Sequence, residues 1–364
     1  MRLVLLAHPE HKRVASLQAA LHSRRLPEAR VLAWRDWLRQ PERLFSLLDQ
    51  PCWLKLEAPG EDADTQQLLI AQGARLQNRP VPPLLAHGEI GYAGLWFAGF
   101  ESALQGLAGA LAQRPWVRCL NTPDAIRLMC DKLVCQHHLQ HHGLAIPGLL
   151  GPFGCFAELQ YLMAQCRQRR VFVKQRYGSS ASGVIAVDSN GRGQWRASSS
   201  VEMVAGEGRL FNSKRIRQYR DTEVVRLIDR LAPNPLYAEA WVPKPMLDGQ
   251  RFDLRVVCLA GQPMHRVARF ADCAMTNLHL GASRRSVSDC LSPAAIERLE
   301  RTARKVAANL PGGRVAGVDL IATERRVHVL EVNAFGDWLP RLQWHGQTIH
   351  EAQIALLQRL HCIE

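Results

Sequence analysis

Near the C-terminus, two carboxylates and an amide occupy positions where an antiparallel hairpin would bring them together. The sequence predicts two strands around a charged turn at 323–326, and folding about residue 325 sets Asp319 opposite Glu331 and Asn333 opposite Gly317. Opposed positions on such a pair have Cβ atoms about 4.5–5.5 Å apart. These side chains offer only oxygen, which suits Mg²⁺ and not zinc. We therefore predict a Mg²⁺ site, with Gly317 leaving room for waters or phosphate oxygens. The alternatives are a protonated carboxyl pair or another register.

A loop of small residues lies between two apolar strands in the middle of the chain. The first strand, 171–174, ends in Lys174, and the loop Gly178-Ser179-Ser180-Ala181-Ser182-Gly183 leads into the second strand. Glycines reach positive φ, so successive N–H groups of such a loop can point at one anion. A strand follows the loop, whereas a P-loop or a dinucleotide fingerprint needs a helix there. The pattern predicts a flap over phosphates, with a flexible hairpin turn as the alternative.

Two further positions carry weaker signals. Lys132 follows Asp131 on a helix that begins at Pro123, and a helical Asp-Lys pair is commonly just a solvated face. Glu239 lies on a strand that is closed by Pro243. A strand that ends in proline leaves backbone groups free for the edge of a ligand, although an edge strand without a ligand has the same pattern.

Two kinds of secondary-structure pattern must position these residues. Residues 1–118 alternate short apolar runs with helical periodicity, which predicts an open α/β layer, and from about residue 171 strands and hairpins take over. The predicted strands are 3–7, 29–33, 52–56, 171–175, 183–187, 236–242, 253–260, 264–270, 315–322 and 327–332. The predicted helices are 12–22, 63–72, 99–112, 123–142, 293–309 and 348–361. The expected fold class is therefore α/β, with an α+β second part.

Length and composition are those of an ordinary globular protein. The 364 residues suggest two or three domains, and the apolar fraction of 47% excludes a disordered chain. The formal net charge of +13 fits nucleic acid, an anionic membrane or a phosphorylated ligand as partner. Residues 164–220 hold twelve Lys and Arg against three Asp and Glu, so most of the excess lies around the glycine loop. This location favours an anionic small-molecule site over nucleic acid.

The compartment is predicted from the apolar runs and the cysteines. The run at 3–7 stops at His8-Pro9, too soon for a signal peptide, and no run approaches the ~18 apolar residues of a membrane span. The ten cysteines form no Cys-x-x-Cys pair. We therefore expect reduced thiols in a cytoplasmic protein without a membrane segment.

Six stretches, in order along the chain, resemble the ATP-grasp superfamily, most closely its branch of ribosomal-protein glutamate ligases and glutathione synthetases. They are Asn121–Ala125 with Asp131-Lys132, Val171–Lys174 with Gly178–Gly183, Tyr237–Val242, Asp253–Val257, Asn277–His279, and Gly317–Leu320 with Val329–Asn333. The resemblance covers about 119–338. It implies an ATP-grasp domain at 119–364 behind an N-terminal Rossmann-like pre-ATP-grasp domain at 1–118. Within the ATP-grasp domain it implies a small lid subdomain at about 166–242 and a metal-binding subdomain at about 243–364.

The resemblance also implies where ATP would bind. Two lysines would contact the nucleotide, with Lys174 on its phosphates, and the glycine loop would lie over the phosphates. The strand would lie beside the base, with Glu239 and Val242 offering backbone to the adenine edge, and two polar residues would lie beside the ribose and phosphates. In that order, these residues are Lys132 and Lys174; Gly178, Ser179, Ser180 and Gly183; Glu239, Ala240, Trp241 and Val242; and Asp253 and Asn277.

Metal ligands and a catalytic arginine follow from the same resemblance. The ligands of Mg²⁺, or of Mn²⁺ in its place, would be Asp319, Glu331 and Asn333. The arginine that stabilises the anionic intermediate would be Arg255, Arg266 or Arg269. Strand alternation sets Arg266 and Arg269 on opposite sides, and position along the motif favours Arg269.

The implied activity is ATP-dependent ligation of a carboxylate to an amine through an acyl phosphate. The partners would be a carboxylate substrate and an amine acceptor, which could be a free amino acid, a peptide or a protein end; a homo-oligomer stays open. The alternatives are an ATP-grasp phosphotransferase and a catalytically silent nucleotide-binding module. One stretch departs from the related ligases, which have small residues and Pro-Gly after the last metal ligand. This chain has Ala334-Phe335-Gly336-Asp337-Trp338 there, so no particular substrate is transferred.

Overall fold

The computed structural model describes residues 1–60, 62–178, 181–204, 206, 208–277 and 281–363. Within these ranges, three larger sheets and one two-stranded sheet carry the fold. The mixture of helices and strands confirms the expected class.

The first part of the chain builds a parallel sheet with helices packed on it. Its elements are β1 (Leu3–Ala7), α1 (Lys12–Ser23), β2 (Arg30–Ala33), α2 (Trp34–Arg39), α3 (Glu42–Leu47), β3 (Cys52–Leu56), α4 (Ala63–Leu76), α5 (Ala93–Ala112) and β4 (Val117–Cys119). The strands run parallel in the order β2-β1-β3-β4. β1 and β3 are buried at every position, as unbroken apolar runs predict for strands covered on both faces.

The continuous helix predicted at 123–142 is wrong, because the structure has two helices, α6 (Pro123–Cys130) and α7 (Lys132–His141). Asp131 separates them: its backbone is extended, and its carboxylate accepts the N–H of Val134 as the N-cap of α7. Arg176 donates two further hydrogen bonds to that carboxylate, at 2.8 and 2.6 Å. An aspartate that bonds to backbone competes with the helix, and this break places Lys132 at the first position of α7.

The middle of the chain forms an antiparallel second sheet. Its elements are β5 (Leu149–Phe153), α8 (Phe156–Gln165), β6 (Arg170–Gln175), β7 (Ile185–Ser189), β8 (Trp195–Met203), β9 (Leu210–Arg220), α9 (Thr222–Leu231) and β10 (Leu236–Ala240). The strand order is β5-β10-β6-β7-β8-β9. The sequence analysis found β6, β7 and β10 but missed the charged and serine-rich β8 and β9, and it missed α9 although that helix buries Val224, Leu227, Ile228 and Leu231 at helical spacing.

The last part of the chain forms the third sheet. Its elements are β11 (Met246–Leu247), β12 (Gln250–Leu259), β13 (Gln262–Ala271), β14 (Ser283–Arg285), α10 (Pro293–Ala308), β15 (Val315–Ala322), β16 (Val327–Asn333), β17 (Gln343–Trp344), β18 (Gln347–Thr348) and α11 (Ile349–Ile363). The order is β14-β13-β12-β15-β16, with β11 also on β12, while β17 and β18 pair with each other.

Apolar packing joins the first and third sheets and leaves the second apart. One core cluster runs from Phe100 of α5 through Leu254 of β12 to Leu299 of α10. The second sheet has its own cluster, which includes Val173 and Leu227. The two groups of strands that must form a site therefore belong to separately packed bodies. No helix among the described residues has both the length and the apolar character to cross a membrane.

Candidate active site

An open cleft lies between the second and third sheets. The cleft gathers most of the residues that the sequence predicted for a site, and α7 contributes one of them. The predicted residues that line it are Lys132, Lys174, Glu239, Ala240, Val242, Asp253, Arg269, Asn277, Asp319 and Glu331.

One wall of the cleft is apolar. Phe172 and Val184 line it from the second sheet, and Ile321 and Leu330 line it from the third. Phe172 and Lys174 share a face of β6, since alternate residues of a strand point the same way. An apolar slot beside a charged end suits a ligand with a flat apolar part and an anionic part.

The hairpin register predicted at the acidic pair is confirmed. Asp319 lies opposite Glu331, and Gly317 lies opposite Asn333. A β-bulge follows Asp319, so that Leu320 faces Val329 and the register beyond it differs by one residue from the one expected. The pairs next to the turn show that it is centred half a residue before residue 325. The bulge shifts the register by one residue, and Asp319 and Glu331 therefore still face each other as predicted.

The role predicted for Gly317 is wrong. A Cβ at this position would lie 2.4 Å from the carbonyl oxygen of Gly336, so glycine is needed to let two backbones pack together. The room expected for waters or phosphate oxygens is therefore filled by the Gly336 backbone.

Glu331 is ionised in this cleft. Its Oε2 contacts Nζ of Lys132, and its Oε1 accepts from the Asn333 amide at 3.2 Å. Burial alone would raise the pKa of Glu331, but Lys132 and Lys174 outweigh it and hold that pKa well below its usual range. The lowered pKa of Glu331 therefore argues against the alternative of a protonated carboxyl pair.

Asp319 is held by two arginines. Arg255 donates to both of its oxygens, with Nη2 2.8 Å from Oδ2, and Nη2 of Arg269 lies 3.1 Å from Oδ1. The carboxylates of Asp319 and Glu331 with the amide of Asn333 form an all-oxygen donor set, which fits Mg²⁺. Side-chain cations contact both carboxylates, so a metal ion would have to displace these cations from the carboxylate oxygens.

Lys174 is fixed by a partner that the sequence did not assign. Its Nζ lies 2.5 Å from Oε1 of Glu239, and Gln136 donates to Oε2 of Glu239 at 3.0 Å. Burial would lower the pKa of Lys174, yet Glu239 and Glu331 outweigh it and raise the pKa, so the ammonium stays charged. Gln136 lies four residues after Lys132 on α7, and this helical spacing could have identified it.

Asp253 anchors a second pair of cations. It accepts from Nε of Arg269 at 2.7 Å and from Nζ of Lys244 at 2.9 Å. Burial opposes ionisation, but these two cations lower the pKa of Asp253 to about 2. Sequence reasoning missed Lys244, which also donates to Thr276 at 2.6 Å and lines the cleft. Its place between Pro243 and Pro245, directly after the strand of Glu239, was the available signal.

The three candidate arginines lie in different places. Arg269 lines the cleft and is only 5% exposed. Arg255 lies behind the cleft, where it holds Asp319 and donates to the Gly336 carbonyl at 3.1 Å. Arg266 is on the other face of β13, paired with Glu300 and 4.2 Å over the ring of Trp344. The structure therefore removes Arg266 from the catalytic candidates, because strand alternation turns it away from the cleft.

The strand expected to meet the adenine edge has only part of its backbone free. The N–H of Ala240 donates to Gly148 at 2.7 Å, and that of Trp241 donates to Arg170 at 3.1 Å. The ring of Trp241 packs against Phe172, 4.9 Å between centroids, outside the lining of the cleft. In the part of the chain that the structure describes, the N–H of Val242 has no partner. Trp241 therefore lies outside the lining of the cleft, whereas Ala240 and Val242 belong to it, and the contact of the Val242 backbone with an adenine edge stays a prediction.

Ser179 and Ser180 of the predicted glycine loop lie outside the described residues. Gly183 has φ +71°, and a Cβ there would lie 2.3 Å from Nε2 of Gln175, so the position requires glycine. Ala181 and Val184 line the cleft. The end of the loop therefore borders the cleft, as a flap would, whereas its contact with phosphates stays a prediction, like that of Gly178.

The basic segment 164–220 does not supply the charge of the cleft. All twelve of its cations are described, and Lys174 alone lines the cleft. Arg192 and Arg215, for example, are exposed near β8 and on β9. The cleft, which is the candidate small-molecule site, is thus in a different place from most of the positive charge of segment 164–220.

No protein-family model matches the chain, and no curated protein matches its sequence. Solved structures do match it over nearly its whole length. The ATP-grasp ligase PsnB, complexed with a phosphomimetic variant of a minimal precursor, Mg and ADP, is 16% identical, with 97% of this chain and 96% of that chain covered and a TM-score of 0.54. The D-cycloserine synthetase DcsG is 15% identical, with 99% and 100% covered and a TM-score of 0.53. The D-alanine–D-alanine ligase from Bacillus anthracis, complexed with ATP, is 10% identical, with 99% and 98% covered and a TM-score of 0.55.

Proposed function

Since this chain has the ATP-grasp fold, we propose that it is an ATP-dependent ligase that joins a carboxylate to an amine. The observation that carries the proposal is the set of acidic and basic side chains around the cleft. Asp319 and Glu331 face Lys132, Lys174 and Arg269 there, beside an apolar slot. The similar structures, a ligase, a synthetase and a second ligase, support the same class of reaction.

The cleft residues would bind ATP by its two unlike ends. The apolar slot with Phe172 and Leu330 would take the base, and the charged Lys132 and Lys174 would take the phosphates. Lys132 would then exchange the carboxylate of Glu331 for a phosphate oxygen. Asp319, Glu331 and Asn333 would hold Mg²⁺, which when bound neutralises phosphate charge.

The reaction then needs alignment and charge neutralisation more than a protein nucleophile. An oxygen of the substrate carboxylate attacks the γ-phosphorus, the bond to ADP breaks, and an acyl phosphate forms. The amine nitrogen attacks the acyl carbon, the bond to phosphate breaks, and the amide forms as the nitrogen loses a proton. Arg269, buried and fixed by Asp253, would stabilise the negative charge at the reacting group.

We also propose the division of the chain that the sequence suggested, with residues 1–118 as a pre-ATP-grasp domain and about 166–242 as a lid. The separate core of the second sheet supports a body that can move relative to the third sheet. A lid that closes over the cleft would keep water from the acyl phosphate. The second sheet begins at Leu149, before the proposed start of the lid at about residue 166.

A two-substrate assay tests the proposal. The purified protein is incubated with ATP, Mg²⁺ and pairs of carboxylates and amines, ADP is measured, and products are identified by mass spectrometry. We expect ADP release that requires both partners, with an amide product. A phosphorylated alcohol without an amide would instead identify a phosphotransferase. Tight nucleotide binding without turnover of any pair would identify a silent binding module.

A further inference from the structure

The chain leaves the second sheet at residues that belong to both packed bodies. Val173 of β6 is buried in the core of the second sheet, whereas Tyr177 packs against the core that joins the first and third sheets. The ring of Tyr177 is stacked on Phe97 of α5, with 3.9 Å between centroids and 7° between planes. Lys174, which the proposed function places on the phosphates of ATP, lies between these two positions. The crossing from one body to the other therefore comes directly beside a nucleotide-binding lysine.

Arg176 ties this crossing to the start of α7. Its guanidinium donates to both carboxylate oxygens of Asp131, with Nε 2.8 Å from Oδ1 and Nη2 2.6 Å from Oδ2. Its carbonyl accepts the backbone N–H of Lys132 at 3.1 Å, and its own N–H donates to the carbonyl of Pro235 at 2.8 Å. A guanidinium that binds a carboxylate through two parallel hydrogen bonds fixes the orientation of both groups. We call Asp131 and Arg176 the clamp.

The ion pair of the clamp is not needed to begin α7. Asp131 already caps the helix by accepting the N–H of Val134, and a neutral asparagine caps a helix as well as an aspartate does. What the ion pair adds is a link between two elements that lie 45 positions apart in the chain. The side chain of Asp131 is 8% exposed and that of Arg176 is 33% exposed, so water screens this pair less than a pair on the open surface.

The clamp lies next to both lysines that the proposed function places on the nucleotide. Lys132 follows Asp131 directly, begins α7 and contacts Glu331, whereas Lys174 precedes Arg176 by two residues. Both lysines line the cleft. One nucleotide would have to meet both ammonium groups at once, so its affinity depends on the distance between them.

We propose that Asp131 and Arg176 are positioning residues that hold Lys132 at the distance from Lys174 that a nucleotide polyphosphate requires. The inference rests on the proposed function and adds to it two residues that do not themselves line the cleft. Because the clamp joins the two bodies at the point where the chain crosses between them, it keeps both lysines together when the second sheet moves as a lid. Without the clamp, the start of α7 can shift relative to β6, and the two ammonium groups no longer fit one polyphosphate.

Binding of Mg²⁺ with N-methylanthraniloyl-ADP (mant-ADP) to the full-length protein tests the proposal. Its Kd is measured by fluorescence titration for the wild type, for Asp131→Asn, which keeps the helix cap, and for Arg176→Gln. The matched control is Arg127→Gln, which removes an arginine of similar exposure, 42%, from its pair with Glu101 on the neighbouring helix α6. We expect each clamp variant to raise Kd about tenfold and the control to change it less than about twofold.

The same variants in a Lys132→Gln background separate positioning from general support of the fold. If the clamp acts through Lys132, clamp variants should raise Kd less than about twofold beyond Lys132→Gln alone. A further tenfold loss in this background would overturn the proposal, as would equal losses in the clamp variants and the control. Thermal unfolding checks that each variant is folded. Arg176→Lys, which keeps the charge but not the two parallel bonds, replaces Arg176→Gln if that variant does not fold, with the same loss expected.

The outcomes for the wild type distinguish this inference from the proposed function. A wild type that binds no mant-ADP overturns both. Binding without turnover of any carboxylate and amine pair refutes the ligase, and the Kd values of the variants still decide on the clamp. Turnover by the wild type, combined with clamp variants that bind mant-ADP within twofold of it, refutes the clamp alone.

Discussion

Two buried charge networks in this molecule have similar chemistry and different surroundings. The cleft network consists of Lys132, Lys174, Lys244, Arg255 and Arg269 with Glu239, Asp253, Asp319 and Glu331. The Lys55 network joins the first sheet to the third part of the chain and consists of Arg13, Lys55, Glu57, Asp337, His350 and Gln353. The first borders an open cleft, whereas Asp337 in the second is 1% exposed.

The Lys55 network is closed on itself. Nζ of Lys55 lies 2.5 Å from Glu57 and 3.1 Å from Asp337, and Nη1 of Arg13 lies 2.7 Å from Asp337. Glu57, Asp337 and His350 are close enough to hold a metal ion, with ligand atoms within 4.8 Å of one another. However, the Lys55 ammonium contacts both carboxylates and neutralises them. Two cations therefore balance two carboxylates, while the buried Nε2 of His350 and Oε1 of Gln353 have no hydrogen-bond partner among the described residues.

The cleft network holds five cations against four carboxylates and faces a space that a ligand can enter. The comparison teaches that ion pairs alone do not mark a functional site. A functional site is marked by a surplus of one charge sign next to a cavity. The stretch after Asn333 illustrates this, because its Asp337 pairs with Lys55 of the first sheet.

The largest expected effect is on turnover. Glu331→Gln should lower ATP turnover by about 10³-fold, because the side chain keeps its shape and loses the charge that a metal ion needs. Steady-state ADP release measures this, with exposed Glu297→Gln as the matched control. Turnover within threefold of the wild type would remove Glu331 from the site.

The next effect is on stability. Asp337→Asn should lower the free energy of unfolding by about 3 kcal/mol, because Arg13 and Lys55 lose their shared buried partner. Urea denaturation measures it. The control is Asp49→Asn, whose carboxylate is exposed and pairs with Arg2, and there the loss should stay below about 1 kcal/mol. Full stability combined with lost turnover would mean that the Lys55 network is catalytic.

The Lys55 network should also make stability depend on pH. Burial lowers the pKa of His350 to about 4 in the folded protein. The unfolded chain, with a pKa near ~6.5, binds the proton more readily, so stability falls as pH drops from about 6.5 to 4. The loss is at most about 3 kcal/mol. His350→Gln should flatten this slope, whereas exposed His87→Gln should keep it. A slope that His350→Gln leaves unchanged would assign the titration to another group.

The smallest effect is expected from the basic segment. Arg192→Gln with Arg215→Gln should leave ATP turnover within about twofold and the free energy of unfolding within about 0.5 kcal/mol, because both side chains are exposed. The same ADP assay and urea titration measure both quantities. A tenfold loss of turnover would show that the charge of this segment reaches the cleft after all.

The chain carries enough local information to place most of the candidate site. β1, β3 and β15 have the predicted bounds because unbroken apolar runs mark buried strands, and the opposition of Asp319 and Glu331 follows from the hairpin. Helix α9 was missed although its spacing was visible. The break at Asp131 was missed although its N-cap bond to Val134 is local, and Arg176, 45 positions away, adds two further hydrogen bonds to the same carboxylate.

Residue types, strand periods and the order of motifs were therefore determined by the sequence itself, since they depend on backbone geometry over a few residues. Only the tertiary structure decided which charges face the cleft, which close on themselves and which stay in solvent. Lys132 and Glu331 are 199 positions apart, and Lys55 and Asp337 are 282 apart. Such pairs form when whole sheets pack, and the apolar area buried between elements sets that packing, so no local pattern in the chain records it.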